Sequence, residues 1–325
     1  MAVNWLLGSQ KLVQAAAVSE ALLAHIEGAP VGPELFETMY TRLSMEGRKQ
    51  WVGMLVSQLA GLKRAVDWQC AADVFSSAGE YAKAESCQRK AVDQFRSEKG
   101  EESNEAIEAL HELAAILSKV GRYEEALAMS LEVLENRRAA LGNEGIGIAH
   151  FVYRVGWILN LTDRSAESLP YLEECLHLEQ KFLGEQHKDT AYSYAALSSA
   201  HRGLGHLEEA MEYALRGHAI EERLLPPGAS TLGVNHYNMG RICLDMGRFE
   251  EALKQFKQAE AIFHANLGEL HRNTLRNNTY MGQAMIGCGL LDEARLLLER
   301  TLQAQRSGEC PPHWLEETEA ALART

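Results

Sequence analysis

The chain has 325 residues, 46% hydrophobic and 24% charged, with only seven prolines and 7% aromatics, a balance that favours a folded, mainly helical protein. Its formal net charge of −13 repels phosphate backbones and so argues against nucleic acid as a partner. Six cysteines lie scattered without a CxxC pair, which suits reduced, mostly buried thiols in a cytoplasmic protein better than a disulfide framework or a zinc site.

In sequence order, residues 1–62 read as helical by periodicity but out of step with the segments beyond them, so they are expected to form an N-terminal helical cap or a small helical domain. The opening stretch lacks a basic segment ahead of its apolar run, so a signal peptide is not expected. No stretch reaches the 18 or more apolar residues of a membrane helix, and membrane association is not expected.

From about residue 63 a short phrase recurs, as GRYEEAL at 121–127, GRFEEAL at 247–253, GHLEEAM from Gly205 and GLLDEAR from Gly289. Its first position falls at Gly79, Gly121, Asp163, Gly205, Gly247 and Gly289, every step being 42 residues. A second ladder, Gly100, Gly142, Gly184, Pro226, Gly268 and Cys310, has the same step. Two ladders of one period across 63–310 define a repeat array.

Each unit reads as two helices. Before the phrase runs an apolar periodic segment such as EAIEALHELAAILSKV, with Ile107, Leu110, Leu113, Ala114 and Leu117 on one face. The phrase glycine supplies a left-handed C-cap, and Asp163 is one of the few substitutes that tolerate that conformation. A second amphipathic helix comes next, with acidic residues in its first turn where the helix dipole favours them.

Small residues recur seven positions before the phrase (Ala72, Ala114, Gly156, Ser198, Gly240, Gly282) and five after it (Ala84, Ala126, Ser168, Ala210, Ala252, Ala294). They allow two helix axes to approach closely. Each hairpin then buries its apolar face only against its neighbours. Residues 311–325, beginning PPHWLEETEA, read as a C-terminal capping helix.

Catalytic and metal signatures fail on inspection. HELAA at 111–115 starts like a zinc-protease helix but has Ala115 where the second histidine belongs. GIGIAH at 145–150 lacks the final glycine of a dinucleotide loop and falls between helices, and neither GxSxG nor a P-loop occurs. His201, His236 and Cys243 sit on the hairpin-core stripe and could supply soft metal ligands, but buried side chains with local hydrogen bonds are the plainer expectation. His187 and His271, each just before a helix, are expected to cap and pack. The sequons beginning at Asn160 and Asn277 lie inside helices and are discounted. No enzyme activity, cofactor or metal is expected.

These repeats resemble the tetratricopeptide repeat, and the 42-residue step resembles its kinesin light chain variety. LGEQHKDT at 183–190 and LGELHRNT at 267–274 look like that family's linker, and ESLPYLEECLHLEQKFLG looks like its second helix. The third unit departs most, with TDRSAES for the phrase, and the fifth replaces its linker with LPPGAST. The resemblance implies an all-α solenoid, a right-handed superhelix of six helix-turn-helix repeats. Its first helices would line a concave groove that binds partners.

Helical spacing places the groove stripe thirteen, ten, six and three residues before each phrase position. In repeats three to six this stripe and its edge include His150, Tyr153, Arg154, Trp157, Asn160, Tyr192, Arg202, Tyr237, Asn238, Arg241, Arg276 and Gln283. Asn238 also matches an asparagine of the family's NNLA segment, which resembles a clamp for peptide backbone. Aromatic rings beside arginines are the composition of interaction hot spots.

The expected function is a non-enzymatic adaptor that binds an extended peptide or protein tail bearing acidic groups or a C-terminal carboxylate. A ligand-responsive sensor is the alternative, and homo-oligomerisation through the terminal helices is a third possibility.

Overall fold

In the computed structural model of the protein, residues 64–77, 79–307 and 310–325 are described. The N-terminal cap expected at 1–62 lies outside them. The regular structure of the described residues is all helix, with no strand among them, and the chain divides into two compact units, Met1–Gly142 and Asn143–Thr325.

The described part of the first unit is two hairpins. Helices α1 (Ala65–Ser77) and α2 (Tyr81–Lys99) pair, α3 (Asn104–Lys119) and α4 (Tyr123–Leu141) pair, and α2 packs on α3. The second unit opens with a 3-10 turn at Ile146–Ile148 and continues as four hairpins. These are α5 (Ala149–Leu161) with α6 (Ser165–Phe182), α7 (Lys188–Gly203) with α8 (Leu207–Leu224), α9 (Ser230–Asp245) with α10 (Phe249–Leu267), and α11 (Arg272–Gly287) with α12 (Leu291–Ser307). Helix α13 (Pro312–Leu322) closes this unit against α12 and α11.

The repeated phrase turns each hairpin as its chemistry requires. Gly79, Gly121, Gly205, Gly247 and Gly289 all have positive φ, and Asp163, at φ 56°, is the one non-glycine residue with positive φ among those described. The second ladder keeps left-handed glycines at 100, 142, 184 and 268. In the fifth linker the left-handed residue is Gly228 rather than the aligned Pro226, which cannot adopt it.

His187 and His271 are the N-caps of α7 and α11. Each Nδ1 accepts from a backbone N–H two residues on, at 3.2 Å from Asp189 and 3.1 Å from Asn273.

The small residues of both helices are buried where the axes meet. Ala72, Ala84, Ala114, Ala126, Ala210, Ala252 and Ala294 have no exposed surface, and Gly156, Gly240 and Gly282 are buried beside them. Where serine replaces alanine, its hydroxyl finds a carbonyl across the hairpin: Ser168 Oγ donates to Gly156 O at 2.8 Å and Ser198 Oγ to Ala210 O at 2.7 Å. A buried hydroxyl is thereby satisfied without widening the contact.

Candidate functional groove

Successive first helices of the second unit touch side by side, α5 on α7, α7 on α9, α9 on α11 and α11 on α13. Their free faces therefore form one continuous surface, and the sequence stripe maps onto it. His150 opens it on α5 as an exposed residue, with Tyr153, Arg154, Trp157 and Asn160 half-buried. Tyr153 and Trp157 stack at 6.3 Å with rings 7° from parallel, and both rest on the cluster of Leu172, Ala196, Leu197 and Ala200. Burial pushes the Tyr153 hydroxyl pKa up. Asn160 donates its amide to Ala196 O on α7 at 2.9 Å, bracing the two first helices together.

Hairpin four is lower-walled. Tyr192 stands out with 47% of its surface exposed, while the next two stripe positions are the small Ala195 and Ser199. Arg202 reaches across to α9 and pairs with Asp245 at 2.8 Å. On α9, Tyr237 is half-buried against Tyr280 at 5.8 Å, edge on, and against Phe256 at 6.2 Å. The Arg241 guanidinium lies 5.6 Å from the Tyr237 ring centre and 5.0 Å from that of Tyr280. Asn238 is half-buried at the edge of a small recess that is also lined by Ala195, Ser198, Ala214, Gly217 and His218.

At hairpin six the capping helix covers much of the stripe. Arg276 pairs with Glu317 of α13 at 3.3 Å, donates to the Tyr280 hydroxyl at 3.1 Å and lies 4.6 Å from the Trp314 ring centre. Thr279 is buried and shares a 2.8 Å hydrogen bond with Thr318 of α13. Gln283 and Ile286 remain half-exposed. The stripe thus stays uncovered over α5, α7 and α9 and is partly covered by α13 at α11.

The first unit behaves differently along its own stripe. In hairpin two His111, Ala115 and Ser118 are buried, leaving Glu108 as the member nearest solvent. In hairpin one Asp73 is half-buried, and burial together with the charge of Glu112 raises its carboxyl pKa to about 6.

The histidines and cysteine that could have been metal ligands lie among separate neighbours: Cys243 sits in an apolar cluster with Phe256 and Met281, and both buried ring nitrogens of His201 lack the hydrogen bonds expected of them. The His201 ring lies 5.7 Å from that of His206 and 5.2 Å from that of Tyr213, tilted to both, whereas His236 lies 4.9 Å from His218 and its Nδ1 pairs with Gln255 Oε1 at 2.8 Å. Among the described residues no cluster of three ligating side chains is placed to hold a metal. No described helix is long and apolar enough to cross a membrane.

Sequence reasoning missed Tyr280, Asp245, Trp314 and Glu317. Tyr280 had a signal, because it is 42 residues beyond Asn238 and 126 beyond Arg154, the same edge position of the repeat. Glu317 and Trp314 had none, since α13 carries no copy of the phrase.

The chain is similar to known proteins in the following respects. A tetratricopeptide repeat family model matches residues 65–139 and 231–307, and a second model of that repeat matches 190–228, together more than half the chain. Among solved structures, a Podosopora anserina putative kinesin light chain with nearly identical TPR-like repeats is 21% identical. That match covers 63% of this chain and 97% of that one at a TM-score of 0.51. BtubC (BKLC) from P. vanneervenii is 22% identical over 72% of this chain and 92% of that one, with a TM-score of 0.50. A Rap protein complexed with Competence and Sporulation Factor is 14% identical over 99% and 94%, with a TM-score of 0.57. At these identities the likeness is one of fold. No curated protein matches the chain.

Proposed function

The chain belongs to the tetratricopeptide repeat family, resembling the kinesin light chain type, and on that premise we propose that it is a non-enzymatic adaptor whose groove over α5, α7, α9 and α11 holds an extended peptide or protein tail. Repeat proteins of this class serve protein–protein interaction generally. The finer reading is supported by one observation above the others: Tyr192 and Arg241, an exposed ring and a guanidinium with no carboxylate within ion-pair distance among the described residues, stand on the same free face as Trp157. A purely structural face would bury such rings or neutralise such charges. Rigid aromatic side chains bury area at low entropic cost, which suits an anchor surface.

Within that groove Trp157, Tyr192 and Tyr237 supply apolar contact, and Asn238 holds peptide backbone. The partner carries an acidic group, and the protein works in the cytoplasm. The test is affinity capture with mass spectrometry, comparing wild type with Trp157→Ala/Tyr192→Ala, both checked for helicity. Partners lost from the variant are the expected result. An unchanged partner set would reject the groove as the site, and ligand-dependent thermal stabilisation without any captured protein would favour a small-molecule sensor instead.

A further inference from the structure

We propose that the seam between hairpins four and five is a hinge that acid opens, with the facing pair His218 and His236 as its latch. A hinge of this kind belongs to the array itself, whatever the groove binds.

The neighbouring linkers are fastened by devices that this one lacks. His187 and His271 cap α7 and α11, and the hydroxyl of Thr190 donates to Gly184 O at 3.0 Å as that of Thr274 does to Gly268 O at 2.8 Å. In LPPGAST, which joins hairpins four and five, the aligned positions are Ala229 and Leu232. Helix α9 therefore begins without a side-chain cap, and the linker has no hydroxyl to brace it. The seam is tied by Asn235, whose amide donates to Glu221, and by Arg202, which pairs with Asp245 at 2.8 Å. That ion pair joins the C-terminal ends of α7 and α9, away from the linker.

The contact between α8 and α9 is unusual as well. At the two aligned positions other repeats carry apolar residues, Val92 and Leu110 or Leu176 and Tyr194, and the last two share an apolar cluster with Ala191 and Ile220. Here the same positions hold His218 and His236, both half-buried, with ring centres 4.9 Å apart. Beside them the small residues Ala195, Ser198, Ala214 and Gly217 line a recess with room for about one water, so little apolar packing backs the pair.

His236 Nδ1 donates to Gln255 Oε1 of α10 at 2.8 Å, whereas His218 Nδ1 is buried with no hydrogen-bond partner among the described residues. Ala195 and Ser198 of α7 and Gln255 face the pair without charge. On α8 itself, Glu222 attracts a proton to His218, and Glu221 is held by Asn235. Burial lowers the His218 pKa below the ordinary 6.5, His236 lowers it further, and Glu222 offsets part of this. The closed seam thus binds fewer protons than the open one. Its stability is full above about pH 6.5 and is lost as pH falls through the lowered value. Two imidazolium rings this close also repel one another in a half-buried site.

The buried acids nearby have the opposite sign. Burial raises the pKa of Glu221, and also that of Glu260, which with Asn278 occupies the aligned positions of the next seam. Acid therefore favours their closed contacts and cannot mimic the histidine latch. With Arg202 and Asp245 as the pivot, opening from the linker end changes the spacing of the face that α7 and α9 share.

The test is amide hydrogen exchange on the full-length protein at about pH 7.5 and about pH 5.5, read by mass spectrometry and corrected for the intrinsic pH dependence of exchange. The last two turns of α8 and the first two of α9 should lose protection several-fold at the lower pH. One proton and an ordinary pKa of 6.5 set a ceiling of about tenfold per histidine. The seam between α6 and α7 should not respond. His218→Leu/His236→Tyr, which installs the pair of that preceding seam, should abolish the loss. So should His218→Gln/His236→Gln, which keeps polar side chains that do not titrate.

Three results overturn the proposal. Equal protection of α8 and α9 at both pH values removes the latch. A loss that survives in both double variants places the titration elsewhere. A loss spread evenly from α5 to α13 is general destabilisation and not a hinge. The groove reading stands or falls separately, on Trp157→Ala/Tyr192→Ala.

Discussion

Gly240→Ala should destabilise the protein even though alanine is the better helix former. A Cβ built on Gly240 would lie 2.7 Å from Phe256 Cε1 and 2.8 Å from its Cδ1, closer than carbon atoms tolerate. The ring cannot withdraw, because Phe256 has no exposed surface and is held between Tyr237 and Tyr280. Overpacking of this kind costs about 1–3 kcal/mol, against about 0.5–1 kcal/mol gained in helix propensity, so the net loss is on the order of 1 kcal/mol. In a Phe256→Ala background the obstacle is gone and only the propensity gain remains, so the same substitution should become stabilising by up to about 1 kcal/mol.

The measurement is a double-mutant cycle by urea unfolding monitored by circular dichroism, repeated at Gly282 with Leu298→Ala, where the Cβ contact would be 2.6 Å. The repeats themselves run this comparison: the residue sixteen positions after the small one is Leu172, Phe256 or Leu298 where the small residue is Gly156, Gly240 or Gly282. It is Gln88, Ser130 or Ala214 where that residue is Ala72, Ala114 or Ser198. A Gly240→Ala penalty that is absent in the wild-type background, or that persists unchanged without the phenylalanine, would refute the reasoning.

Two further outcomes follow from the same packing and from one buried acid. Ala214→Leu alone should lose about 1–3 kcal/mol by pressing on Ser198, and adding Ser198→Gly should restore most of it by recreating the Gly156–Leu172 pair; urea midpoints decide it, and a stabilised single mutant would count against it. Glu221 is buried, and burial raises its carboxyl pKa above the ordinary 4.5, with the hydrogen bond from the Asn235 amide pulling it partly back. The folded protein therefore holds the extra proton, and the contribution of Glu221 to stability is full below about pH 4.5 and lost as pH rises through the raised value. Glu221→Gln should thus gain on wild type as pH rises from about 4 to about 7, and a stability gap independent of pH would contradict the assignment.

Much of the fold was legible because its requirements repeat. A left-handed turn, a close helix crossing and an N-cap each demand a particular residue type, and a stacked array demands it at every step. That is why Asp163, the least typical member of its ladder, could be assigned a left-handed backbone from its position alone, and why His187 and His271 could be read as caps. The stripe of the first helices was legible as a face but not as a set of free groups. Whether an arginine is available depends on its lateral neighbour, which belongs to the next repeat. Arg202 and Asp245 are 43 residues apart, one beyond the period, so an opposite charge at that offset is the signal to seek. Arg276 could not be judged so, because its partner Glu317 belongs to a helix outside the repeat.

The two sides of each first helix obey different rules, and that difference carries the functional argument. Positions that meet the second helix stay small in every repeat, since one geometry must be built six times. Positions on the free face do not repeat: the sequence from α5 to α11 runs His150, Tyr192, Val234, Arg276 at one level and Trp157, Ser199, Arg241, Gln283 at another. A face that met only water would need neither a tryptophan nor a ring-held guanidinium. Part of this variety is structural, because Tyr153, Trp157 and Tyr237 also rest on their own hairpins and Arg202 and Arg276 tie neighbours together. On that face stand an exposed Tyr192, Asn238 at the edge of a recess and Arg241 beside two rings, three different groups within two adjacent repeats. A ligand that is not itself repetitive would require such an irregular remainder.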